Sequence, residues 1–132
     1  MIAPRYLLDT NVIIDAARGR APHAVARMAR FAVGELVMSA VTLGELEHGW
    51  QGGRADREAA APFLGLVPAL PFDAAAARGY GAVMAASPRP PRGACDRLIA
   101  GHAHALGLPV VTSNRADFDR FALIAVEDWN RV

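Results

Sequence analysis

The chain has 132 residues, 53% of them hydrophobic, which is enough for one domain (1–132) with its own core and no need of a disulfide or structural metal. Fourteen basic and 13 acidic residues leave a formal charge of +1, so no global basic field announces a polyanion, and any such partner must be held by a local cluster. The lone Cys95 excludes an internal disulfide and suits a reducing cytosol; no basic-then-apolar signal segment opens the sequence and no apolar run reaches the about 18 residues of a membrane span, so a cytoplasmic protein without membrane contact is expected.

Short apolar runs alternate with longer helical stretches. Tyr6 to Leu8 reads as a buried strand, and Asn11 to Arg18 as a helix closed by Gly19. Pro22 to Val33 reads as a helix stopped by Gly34, and Leu36 to Met38 as a second strand. Ser39 is placed to cap a helix through VTLGELEHGW, which Gly52 and Gly53 end. An alanine-rich helix over Arg54 to Leu64 follows, then a weak strand over Val67 to Leu70 interrupted by Pro68. Asp73 caps AAAARGYGAVMAA, and SPRPPRG (87–93) must be a loop, because three prolines fix φ and remove donors. Ala94 to Leu106 is a helix with Gly107 at its end, Leu108 to Val111 a strand, NRADFDRF a short helix and Leu123 to Val126 the last strand.

This order predicts a three-layer α/β/α sandwich around a central, mostly parallel sheet of four to five strands. Ligands of such sheets collect at the carboxyl ends of the strands. Asp9 in YLLDTNVII lies at one of these ends and also precedes a helix, where a carboxylate caps free N–H groups; the stretch alone allows either role. Glu45 lies mid-helix on a face with Val41 and Gly49, whereas Glu47 points elsewhere and reads as solvated. Asp96 sits in the first turn of its helix, in line with Ile99, Ala100 and Ala103, and so toward the sheet. Asp117 and Asp119 flank Phe118; for Asp117 a capping or salt-bridging role near Arg115 is the alternative.

Three of these four acids fall at strand ends or helix starts of different βα units, which converge on one edge of an open sheet, and Glu45 reaches in from a flanking helix. Clustered carboxylates repel and raise one another's pKa. A hard divalent cation removes that conflict, and an all-oxygen donor set suits Mg²⁺ or Mn²⁺. Such an ion activates water and stabilises the leaving oxygen of a phosphodiester.

With LLDTN, VTLGELEHG, CDRLIAGHAHALGLPVVTSN and RADFDRF in this order, separated by 36, 51 and 21 residues from acid to acid, the chain resembles the PIN-domain ribonucleases of the VapC toxin type almost end to end. The resemblance implies that Asp9, Glu45 and Asp96 are the core ligands of one or two Mg²⁺ or Mn²⁺ ions, and that Asp117 is the more variable fourth acid. It implies that Thr10 and Asn11 orient the first ligand or a water, and that Thr112 and Asn114 line the pocket. It further implies an endoribonuclease that leaves 3′-hydroxyl and 5′-phosphate ends on a transfer RNA, a ribosomal RNA loop or a messenger RNA and thereby arrests growth. A VapB-like antitoxin would cover the pocket, with a homodimer, a heterotetramer or a larger assembly, and operator DNA reached only through the antitoxin.

In one departure, Arg92 precedes Gly93 where the family often has an apolar residue, so substrate preference does not carry over; Arg89, Arg92 and Arg115 are candidate RNA contacts or simply solvated. His102 and His104, two residues apart on a helix, face different sides and are not a ligand pair, and Cys95 reads as a buried filler. Trp50 and Trp129 read as packing residues. Two other classes compete: a binding module that works mainly in an operator-DNA complex with little nuclease activity, and a phosphohydrolase with Asp9 as covalent nucleophile. Enzymes of the latter kind carry a second Asp two residues on, where this chain has Asn11.

Overall fold

Leu7 and Leu8 point to opposite faces of a strand, and both are fully buried, so β1 (Tyr6–Leu8) must lie inside a sheet covered on both sides. The computed structural model, which describes residues 2–130, places it there: the sheet order is β3-β2-β1-β4-β5, all neighbours parallel, with β2 at Leu36–Ser39, β3 at Ala69–Leu70, β4 at Val110–Val111 and β5 at Val126–Glu127. The expected mostly parallel sheet of four to five strands is thus five strands, wholly parallel.

Among the described residues seven helices cover it: α1 (Thr10–Ala17), α2 (Pro22–Met28), α3 (Ala40–Trp50), α4 (Arg54–Leu66), α5 (Ala74–Ala86), α6 (Ala94–Leu106) and α7 (Arg115–Phe118). The period-2 alternation of the strands divides the core between two faces. Leu8, Leu36, Met38 and Val111 pack with Val12 of α1 and Trp50 of α3, whereas Leu7, Val37 and Val110 pack with Val83, Ile99 and Phe118 of α5, α6 and α7. Trp50 and Trp129 are core residues, as expected.

Helix boundaries follow their signals in most places. Ser39 Oγ accepts from Val41 N (3.1 Å) and Asp73 Oδ1 from Ala76 N (2.9 Å), while Gly107 closes α6 in the left-handed region at φ 68°. α2 is shorter than expected: it ends at Met28, not Val33, because Phe31 turns inward to stack on Trp129 (5.5 Å) and to meet Tyr6 edge-on. β5 begins at Val126 instead of Leu123, since Leu123 sits at φ 70°, outside the strand region. The strand expected from Leu108 is confined to 110–111, with Leu108 N still bonded to Ala103 O at the end of α6.

α5 and α6 cross backbone to backbone. A β-carbon at Gly101 would lie 2.3 Å from Tyr80 Cα, and one at Gly79 would lie 2.3 Å from Gly101 O, so only glycine permits this approach. The crossing sets the position of α6 and therefore of Asp96 in its first turn.

Candidate active site

Strand order reverses at β1, which has β2 on one side and β4 on the other, and this makes the carboxyl end of the β1–β4 pair the crevice of the sheet. Asp9 and Thr112 close those two strands. Asp9 N donates to Val111 O (2.9 Å), and Thr112 Oγ1 donates to Asp9 Oδ2 (2.9 Å). Asp9 is also the N-cap of α1, its Oδ1 accepting from Thr10 N (2.8 Å). Capping and site placement are one geometry, because the helix start aims the carboxylate. Asp9 is 2% exposed, with both oxygens engaged. A covalent nucleophile needs an accessible, unencumbered oxygen, so this arrangement speaks against the phosphohydrolase reading.

Glu45 is half-buried on α3 and accepts a hydrogen bond from Thr10 Oγ1 (2.6 Å). The Thr10 backbone therefore holds the first acid while its side chain holds the second. Asp96 is half-buried and, among the described residues, has no hydrogen-bond donor and no ion pair. Asp117 stands at the rim, where Asn114 Nδ2 donates to its Oδ2 (3.0 Å) and Arg120 Nη1 is 3.9 Å from its Oδ1. Its cation is Arg120, not Arg115, which pairs with Asp119 at 3.2 Å.

The acids sense one another. Burial raises Asp9 from 3.8 to about 7, the charges of Asp96 and Glu45 add to the rise, and the hydrogen bonds from Thr112 and Thr10 oppose it. Asp96 is also held above the ordinary carboxylate range, first by burial, then by Glu45 and Asp117. The structure thus brings together all four acids singled out in the sequence.

Of the polar neighbours, Thr112 is fully buried, its Oγ1 also accepting from Asn114 N (3.0 Å), and it fixes the turn that carries Asn114 to Asp117. Asn11 is exposed and, among the described residues, makes no side-chain hydrogen bond, so it does not orient Asp9. Arg89 and Arg92 are exposed on the 87–93 loop.

Two contacts lay outside the sequence reading. Cys95 is not a buried filler but is half-buried, with its thiol hydrogen-bonded to Glu45; burial and the Glu45 charge push its pKa up. His102 is 2% exposed, with Nδ1 2.8 Å from Ser39 Oγ and its ring edge-on to Phe72. It joins the cap of α3, which carries Glu45, to α6, which carries Asp96. No local pattern announces either contact, since the partners lie 30 to 63 residues away.

Oxygen donors without histidine fit a hard divalent ion. Among the described residues no group of three or more His, Cys, Asp or Glu side chains is close enough together to hold a metal ion by itself. An open set is what Mg²⁺ uses, binding one or two carboxylates directly and retaining several waters.

The sequence signature of the family described as PIN domain matches residues 6–124. The tRNA(fMet)-specific endonuclease VapC of Shigella flexneri is 34% identical over 131 residues, covering 96% of this chain and 98% of that protein. Ribonuclease VapC2 of Haemophilus influenzae is 28% identical over 130 residues, covering 95% and 98%. Among solved structures, DNA-bound VapBC from Salmonella typhimurium superposes with a TM-score of 0.83 at 33% identity, covering 96% of this chain and 98% of that one.

Proposed function

The chain belongs to the PIN domain family, and from that premise we propose that it is a divalent-metal-dependent endoribonuclease toxin, restrained by a cognate VapB-like antitoxin. The observation that carries the reading is the convergence of Asp9, Glu45, Asp96 and Asp117 at the sheet crevice, with no ion pair on the first three among the described residues. Two carboxylates held above their ordinary range with no neutralising side chain beside them support a cation at this site.

Asp9, Glu45 and Asp96 would hold one or two Mg²⁺ or Mn²⁺ ions, with Asp117 contributing from the rim. Such an ion, when bound, supplies the Lewis-acid charge that activates water and stabilises the leaving oxygen. The chain's own part is preorganisation. Thr112 and the Thr10 N–H fix Asp9, the Thr10 hydroxyl fixes Glu45, and Asn114 holds Asp117 at the rim. Asp96, free of donors, keeps all its lone pairs for the cation. No His, Ser or Cys nucleophile is required.

The name of the Shigella relative makes tRNA(fMet) the first substrate to test. The solved VapBC structures from Salmonella typhimurium, which is DNA-bound, and from Haemophilus influenzae support assembly of this chain with an antitoxin and contact of that assembly with operator DNA; the homodimer is part of the proposal. No described helix is long and apolar enough to cross a membrane.

The test is brief induction of the chain without its antitoxin, followed by sequencing of RNA 5′ ends. New 5′-phosphate ends at a discrete site, together with growth arrest that antitoxin co-expression relieves, are expected. Intact RNA and unimpaired growth would favour the operator-complex reading.

A further inference from the structure

The pocket is acidic and its natural ligand is a polyanion, so attraction must come from the rim. Among the described residues, six arginines stand in ion pairs: Arg5, Arg18, Arg27, Arg57, Arg115 and Arg120. Arg89 and Arg92 have no ion pair, are exposed, and sit on the loop 87–93 that runs into the helix of Asp96.

The loop touches the site. A β-carbon at Gly93 would lie 3.6 Å from Asp96 Oδ2, so Arg92 stands one residue from a point of contact with the third acid. It is also anchored. Ser87 and Pro91 are buried, and Ser87 Oγ donates to Val83 O (2.6 Å) while accepting from Ala122 N (2.9 Å). Arg97, the residue after Asp96, donates from Nε to Pro91 O. Arg120, the partner of Asp117, donates from Nε to Arg89 O (3.1 Å). α6 and the turn that follows α7 therefore grip the loop by its carbonyls, in a stretch where Pro88, Pro90 and Pro91 already restrict φ. Beside it runs an open groove of about 460 Å³ lined by Pro88, Arg89, Asp119, Arg120, Phe121 and Ala122.

We propose that residues 87–93 form a rigid shelf on which Arg89 and Arg92 hold backbone phosphates of single-stranded RNA next to the scissile bond, with the strand continuing along the groove beside Arg120. This rests on the ribonuclease reading and adds to it the surface that binds substrate. Arginine suits the task because its planar fork matches a phosphate's oxygens. A shelf fixed beforehand loses little conformational freedom on binding.

The test measures binding of a fluorescein-labelled single-stranded RNA by anisotropy across a NaCl series, in the non-cleaving Asp9→Asn background. Neutralising two phosphate contacts lowers the magnitude of the log Kd against log salt slope by about 1.4, so Arg89→Ala with Arg92→Ala is expected to lose that much slope and about tenfold in affinity at low salt. Arg89→Lys with Arg92→Lys should keep the slope, because the charge survives. Arg30→Ala with Arg78→Ala, two exposed arginines on other elements, should match the parent. An unchanged slope in the double alanine variant, or an equal loss in the Arg30/Arg78 control, would overturn the proposal. Binding is read without turnover, so the two readings fail separately. A lost slope with no cleavage by the wild-type chain sinks the nuclease reading alone; cleavage with an unchanged slope sinks the shelf alone.

Discussion

Asp9→Asn should make the metal-free protein more stable and, at the same time, inactive. Asp9 is 2% exposed, and its pKa of about 7 stands against an ordinary 3.8. Between those values the folded state binds a proton that the unfolded state does not, so stability falls as pH rises through this window. A shift of about three pKa units corresponds to on the order of 4 kcal/mol by pH 8. Asparagine keeps the shape and carries no charge. Its carbonyl can accept from Thr10 N, and its amide can donate to Thr112 Oγ1, which then accepts a second bond beside that from Asn114 N and gives up its own donation to residue 9. The expected gain over wild type at pH 8 in EDTA is on the order of 2–4 kcal/mol by urea unfolding, shrinking toward zero at pH 4, where both side chains are neutral. Taking the difference between the two proteins cancels the titrating groups that do not sense Asp9, leaving Asp9 and its coupling to Asp96 and Glu45. Mg²⁺ at a hundred times its Kd should offset most of that gain by stabilising only the wild type, by about 2.7 kcal/mol. A difference that is constant from pH 4 to 8 would refute the claim that burial of this carboxylate is costly.

Other outcomes follow from the same contacts. Thr112→Val leaves a buried Asp9 oxygen and the Asn114 N–H without a partner, and should cost about 1–3 kcal/mol and most of the cleavage rate, whereas Thr112→Ser should restore both. Gly101→Ala drives a methyl group into the Tyr80 backbone and should destabilise by about 1–3 kcal/mol in urea; wild-type stability would mean that α5 and α6 are not in such close contact. Burial holds the His102 pKa below its usual 6.5, against the pull of Asp73, so its contribution is present above pH 6.5 and is lost as pH falls. His102→Asn should flatten the decline in stability between pH 6.5 and 5 relative to wild type; parallel curves would contradict this.

The parallel sheet and the two-faced core were legible because every central strand is apolar at consecutive positions, as in Leu7-Leu8 and Val110-Val111, whereas the order of the strands was not. Asp9 was legible as an acid at a strand end. Its partners were less so, and Glu45 stood out only with the family resemblance in hand. The contacts that hold the acids in place are long-range. Thr10 reaches Glu45 across 35 residues, Thr112 reaches Asp9 across 103, and Ser39 meets His102 across 63. Local periodicity carries no signal for such pairs. The misplaced boundaries have the same origin, since α2 stops early because Phe31 is drawn to Trp129, a residue near the far end of the chain.

The most direct test of the four-acid account is cleavage of tRNA(fMet) and total RNA by the purified, antitoxin-free chain, assayed beside Asp9→Asn and Asp96→Asn with Mg²⁺, Mn²⁺ or EDTA. The account predicts cleavage by the wild type only when a divalent ion is present, and none by either variant although both remain folded. Wild-type rates in either variant, or undiminished cleavage in EDTA, would contradict it.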